Sequence, residues 1–141
     1  MPKSSIHFFC EDLDFKLKNS RKTILWIKNS IRSEGKTLGE LNFIFCSDNH
    51  LLEMNINYLR HNTYTDIITF DNSEEEEFIS GDIFISIERV RDNASKFQKN
   101  LDNELHRVII HGVLHLIGYL DKTLNNKTIM RGKEDAYLSL R

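Results

Sequence analysis

Residues 104–121 read Glu-Leu-His-Arg-Val-Ile-Ile-His-Gly-Val-Leu-His-Leu-Ile-Gly-Tyr-Leu-Asp. His111 and His115 stand four apart in a run of Val, Ile and Leu, and on a helix such residues share one face with Cβ atoms about 5–6 Å apart. The run is apolar on nearly every side, which predicts a helix buried in the core. Two imidazoles carried into that core are desolvated and need partners. Gly118 follows three residues after His115, where a glycine in the left-handed conformation ends a helix and turns the chain back. Asp121 then returns toward the two histidines.

The offsets 111, 115, 118 and 121 are those of the extended zinc-protease motif H-E-x-x-H-x-x-G-x-x-H. Two letters differ. Gly112 replaces the glutamate that serves those proteases as general base, and Asp121 fills the third ligand position in place of His. The pattern therefore points to a metal site and away from a zinc protease. Spacing alone leaves a second reading open, a pair of core histidines with satisfied hydrogen bonds. Read as ligands, His111, His115 and Asp121 leave one coordination position free, the layout of a catalytic centre. Two nitrogens and one carboxylate suit Zn²⁺, and other divalent transition metals accept the same donors.

A chain of 141 residues with 40% apolar and 28% charged residues is long enough for one domain, spanning 1–141, and short for two. No apolar run reaches the length of a membrane span. The run Ile6 to Cys10 is too short for a secretory signal and meets Glu11 and Asp12 at once, so a cytoplasmic location is expected. Cys10 and Cys46 each close an apolar run, with no metal-ribbon spacing, and read as reduced core residues. A net charge of −2 does not announce a large phosphate footprint. The charge is unevenly placed, however. Lys16, Lys18, Arg21, Lys22, Lys28 and Arg32 occur together without an acid among residues 15–33, whereas Glu74 to Glu77 are consecutive. A basic face is permitted by this, and a solvated helix face explains it equally.

Around the central stretch the chain reads β-α-β-α-β-β-α-α-α. Ser5–Cys10 is a β-branched and aromatic strand, and Asp12 or Asp14 is placed to cap the helix carrying Leu17, Ile24, Ile27 and Ile31. After Gly35, Leu41–Phe45 reads as a strand buried on both faces, parallel to the first. Ser47 or Asp48 caps a helix turning Leu52, Ile56 and Leu59 inward and ending near Arg60 and His61. Asp66–Phe70 and Gly81–Ile87 form a hairpin, with Asp66 and Asp82 serving strand ends. Ser86 caps a helix through Phe97, Asn100 or Asp102 opens the two-histidine helix, and a last helix runs from Asn125 to Leu140, weakened at Gly132. The expected fold is a single α+β (mixed α/β) domain, a small mixed four-stranded sheet packed with about five helices, the metal-ligand helix in its core. Glu104, seven residues before His111 on the same face, either orients a ligand or pairs with Arg107 or Arg131. His106 and His61 have no assigned role.

His111-Gly112-Val113-Leu114-His115-Leu116-Ile117-Gly118-Tyr119 closely resembles the signature of the YbeY family, metal-dependent endoribonucleases and rRNA maturation factors, written HGxLHLxGYDH. Asn57-Tyr58-Leu59-Arg60, Thr65-Asp66-Ile67-Ile68-Thr69-Phe70 and Gly81-Asp82-Ile83 resemble the family's other blocks in the same order, covering residues 51–121. In this chain the family's third histidine falls on Asp121, and Leu120 stands at its aspartate. The resemblance implies a zinc-dependent, single-strand-specific endoribonuclease acting in 16S rRNA 3′ end processing and ribosome quality control. Its expected partners are rRNA and the small ribosomal subunit, with no DNA and no membrane. His111 and Arg60 are the catalytic residues it implies, Arg60 offering a fixed cation to phosphate. Two other readings use the same residues: a metallohydrolase of another substrate, and a ribosome-assembly factor with a structural metal.

Overall fold

Two β-branched and aromatic runs flanking an amphipathic helix start the sheet. In the computed structural model, which describes residues 4–60 and 63–141, these are β1 (Ser5–Cys10), α1 (Ser20–Ser33) and β2 (Thr37–Cys46). There follow α2 (Asp48–Leu59), the hairpin β3 (Ile67–Asp71) and β4 (Phe78–Ser86), and the helices α3 (Ile87–Lys96), α4 (Leu101–Ile117) and α5 (Leu124–Leu138). The sheet order is β1-β2-β4-β3, with β1/β2 and β2/β4 parallel and β3/β4 antiparallel. The mixed single-domain fold expected from the sequence is the one observed.

The sheet separates two apolar layers of unequal size. Leu41, Phe43, Phe45, Ile83 and Ile85 turn to one side and meet Ile27 and Ile31 of α1 with Ile109 and Val113 of α4. On the other side a smaller cluster of Cys46, Leu51 and Ile68 is closed by α2. Each fully buried aliphatic side chain contributes about 1.5–3 kcal/mol by leaving water, so the large layer anchors α4. That anchoring lets α4 carry a glycine and three histidines, residues of modest or poor intrinsic helix propensity. Gly112 marks the closest approach: a Cβ there would stand 2.7 Å from Ile67 Cδ1 and 3.1 Å from Ile83 Cγ2.

Local details correct several expectations. Neither Asp12 nor Asp14 caps α1, which starts after a left-handed Asn19; the Asp12 carboxylate instead accepts from the Ser47 backbone N–H and hydroxyl. Of α2 it is Leu51 and Asn55 that turn inward, while Ile56 and Leu59 are exposed. A helix lying over one end of a sheet has a narrow contact stripe, and the Ser47 cap sets its rotation. Gly132 does not interrupt α5, which is held by buried Met130 before that residue and by the Arg107–Glu134 and Trp26–Tyr137 contacts after it. Cys46 is buried, but Cys10 is exposed, its thiol donating to the Phe15 carbonyl. His61 lies outside the described residues.

Candidate metal centre

The C-terminal half of α4 brings the three proposed ligands to one point. His111 and His115 present their rings edge to face, with centroids 4.6 Å apart. Gly118 takes φ 124° and ends the helix, its backbone N–H donating to the Leu114 and His115 carbonyls. The turn brings Asp121 Oδ2 to 3.3 Å from both His111 Nε2 and His115 Nε2. One donor atom from each of these residues lies within 4.8 Å of the others. Donors about 2.1 Å from a tetrahedral ion stand about 3.4 Å from one another, so the two 3.3 Å separations suit such an ion.

The partner that orients this cluster is Glu134 of α5. The His111 Nδ1–H donates to Glu134 Oε2 at 2.6 Å, and because a carboxylate only accepts, Nε2 is left with its lone pair facing Asp121. Glu134 is buried and also accepts from Arg107 Nη1 at 2.8 Å. Burial alone would raise the Glu134 carboxyl, but the hydrogen bonds from His111 and Arg107 outweigh it and hold it below the ordinary carboxylate value. For His111 burial works downward, yet the Glu134 hydrogen bond and the charges of Glu134, Asp121 and Asp66 prevail and raise it. A field that favours a proton on His111 favours a metal cation in its place.

The turn bearing Asp121 is anchored away from the cluster as well. Tyr119 donates to Glu34 Oε1 at 2.5 Å, and the Tyr137 hydroxyl and Lys133 Nζ reach the other oxygen of that carboxylate. Burial pushes the Glu34 carboxyl up, but Tyr119, Tyr137 and Lys133 together hold it below its ordinary value. One carboxylate thus ties the end of α1, the turn after α4 and the body of α5 together.

A cleft of about 420 Å³ opens onto His111 and Asp121, with Asp66, Glu104, Arg107 and Glu134 also in its wall. Burial raises the carboxyls of both Asp66 and Glu104. Asp66, just before β3, thus lies in the cleft wall as well as at the end of a strand. Glu104 forms neither expected contact among the described residues: Arg107 pairs with Glu134 and Asp135, and the orienting carboxylate is Glu134. No spacing signal marks Glu134, since it lies 23 residues from His111 on another helix. Gly112 lies against the sheet, so packing itself excludes a general base at that position. Arg60, exposed at the left-handed C-cap of α2 with φ 57°, is not among the residues lining the cleft.

Comparison with known proteins agrees with this architecture. The sequence matches the family described as Endoribonuclease YbeY over residues 6–140. A curated relative named Endoribonuclease YbeY from Cytophaga hutchinsonii is 52% identical over 141 residues, covering 100% of this chain and 99% of the relative. One of the same name from Amoebophilus asiaticus is 51% identical over 138 residues, covering 98% and 94%. The solution structure of TM1509 from Thermotoga maritima superposes with a TM-score of 0.67 at 27% identity, over 96% of this chain and 87% of that one.

Proposed function

The chain belongs to the Endoribonuclease YbeY family, and from that premise we propose that it is a metal-dependent, single-strand-specific endoribonuclease whose ion is held by His111, His115 and Asp121. The observation that carries this reading is the convergence of two ring nitrogens and a carboxylate oxygen at the mouth of an open cleft. A divalent ion held there, Zn²⁺ by the donor set, supplies Lewis acidity toward a phosphoryl oxygen. Glu134 fixes the His111 tautomer, and Arg107 fixes Glu134. Arg60 supplies the cation that meets developing charge on the phosphate. Maturation of 16S rRNA at its 3′ end, with the small ribosomal subunit as partner in the cytoplasm, is the biological setting that fits this chemistry. Among the described residues no helix is long and apolar enough to cross a membrane.

Elemental analysis of the purified protein, together with cleavage of a single-stranded RNA before and after chelation, tests the reading. About one equivalent of metal is expected, with cleavage lost on chelation and restored by Zn²⁺. Arg60→Ala should keep its metal and lose cleavage by roughly 10²–10³-fold, the scale for one transition-state donor. Equal cleavage after chelation refutes metal dependence. Metal-loaded protein that cuts no RNA favours a different substrate or a structural ion, and unchanged cleavage by Arg60→Ala removes that residue from the site.

A further inference from the structure

Beside the ligand cluster the cleft does not end. A second cavity of about 350 Å³ shares Phe97, Glu104, Arg107 and Arg131 with the one that opens onto His111, so the two adjoin around the end of α3 and one face of α5. Phe97 stands on that shared wall with 62% of its surface exposed. A single exposed apolar residue is ordinary. This one is held by a rigid root: its N–H donates to the Asn93 carbonyl at 2.9 Å, and Lys99 N–H closes the following turn on Ala94 at 2.9 Å. The backbone is thereby fixed, and the ring stands at the border of two cavities.

The cations along the same path are uncommitted. Lys127 and Arg131 are exposed one turn apart on the face of α5 that lines the metal cleft, about 6 Å along the helix axis. Lys99 borders the second cavity. Among the described residues none of the three is within ion-pair distance of a carboxylate, in contrast to Arg107, which is paired with Glu134 and Asp135. Glu104, 8% exposed, lies on the floor, and the free cations form the rim. An aromatic face bordered by unpaired cations is the arrangement that binds single-stranded nucleic acid, bases on the ring and phosphates on the cations.

We propose that this pair of cavities is a track for single-stranded RNA leading to the metal centre, in which one nucleobase stacks on Phe97 and Lys127 and Arg131 hold the flanking phosphates. The proposal rests on the ribonuclease reading above and adds a source for its strand preference. A paired base keeps its faces stacked on its duplex neighbours and cannot offer one to Phe97, whereas an unpaired base can.

The test uses the metal-loaded protein and a short, uncleavable 2′-O-methyl RNA read by fluorescence anisotropy, beside cleavage of the matching RNA. Phe97→Ala should weaken binding by about 5–100-fold, the scale of one lost base stack, and Phe97→Trp should retain it. Metal content and melting temperature should stay at the parent values in both. An abasic residue moved along the oligonucleotide should weaken parent binding most at one position, and there Phe97→Ala should add nothing. Lys127→Ala and Arg131→Ala should each lower the slope of log affinity against log salt by roughly 0.7. Parent-like binding by Phe97→Ala, or a loss that is the same with every abasic oligonucleotide, overturns the track while parent cleavage keeps the ribonuclease reading intact. Parent protein that neither binds nor cuts RNA overturns both.

Discussion

His106 and His111 lie on the same helix, both below half exposure, and are wired in opposite ways. His106 is 1% exposed, its Nδ1–H donating to the Asp102 carbonyl at 2.8 Å and its Nε2 accepting from the Thr23 hydroxyl at 2.8 Å. Its ring meets Trp26 edge to face at 5.6 Å. Both nitrogens are hydrogen-bonded to neutral groups of the protein, with the Asp102 carboxylate at 3.4 Å from Nδ1, so the residue joins α1 to α4 and has nothing left to offer. His111 donates through Nδ1 to a carboxylate, and its Nε2 faces only the point shared with His115 and Asp121. A histidine on an apolar helix becomes a ligand through the nitrogen its neighbours leave free, and burial alone does not distinguish the cases.

The comparison breaks most visibly if the two classes are exchanged by mutation. His111→Ala, His115→Ala and Asp121→Ala should each lose most bound metal, a larger effect than the ~10–100-fold produced by removing an orienting partner. His106→Ala should retain the full metal content. Elemental analysis after gel filtration reads both. A His106→Ala protein that folds but lacks metal, or a His111→Ala protein that keeps it, removes the distinction. For His106→Ala the loss belongs to the fold: a cavity opens beside Trp26 and the Thr23 hydroxyl loses its acceptor, together costing about 2–4 kcal/mol in urea unfolding.

Glu134 gives a smaller and sharper test. Glu134→Gln keeps an oxygen that can accept from His111 Nδ1–H but removes the negative charge and the ion pair with Arg107. Metal affinity measured by competition with a chelator should fall by about 10–100-fold, with the ligands themselves intact. Parent affinity in that variant would show that the Glu134 contact does not tune the site.

How far these residues could be read from the sequence depended on whether their relations are local. The strands and the two-histidine helix follow from periodicities within a dozen residues, the parallel β1/β2 pair follows from the helix that connects two such strands, and all three are present in the structure. The i, i+4 spacing and the glycine turn are local too, and His111, His115 and Asp121 do converge. Glu134 pairs with His111 across two helices, a relation no local pattern carries, and Gly132 two residues earlier suggested a weak helix there. Asp66 read as a strand end because its approach to the cleft depends on how closely α4 lies on the sheet, which Gly112 permits. The inward face of α2 differs from the expected one because Ile56 and Leu59 fit an apolar stripe in sequence, whereas Leu51 and Asn55 are the residues that α2 buries. Arg60 came from family resemblance, and its place in catalysis rests on the cleavage test.

The subtlest expected difference between the two histidines is in their response to pH. Burial pulls the His106 imidazolium below its ordinary value; the Asp102 carbonyl and carboxylate oppose this, while Arg141 and Lys22 add to it. The unfolded chain therefore takes up a proton at His106 near pH 6.5, before the folded protein does. Its contribution to stability is intact above that pH, is lost as pH falls through the unfolded value, and levels off below the folded one. His111 in metal-free protein is shifted the other way, chiefly because Glu134 outweighs burial, so its contribution is present at low pH and is lost as pH rises through its raised folded value. The two residues of one helix thus oppose each other on acidification. In chelated protein, His106→Gln should remove the first effect and leave the second. Its unfolding free energy, followed from about pH 7.5 to 5, should then decline less on acidification than the parent's. Parallel curves for the two proteins would mean that His106 is not held neutral by its surroundings, and its contrast with His111 would reduce to the hydrogen-bond geometry.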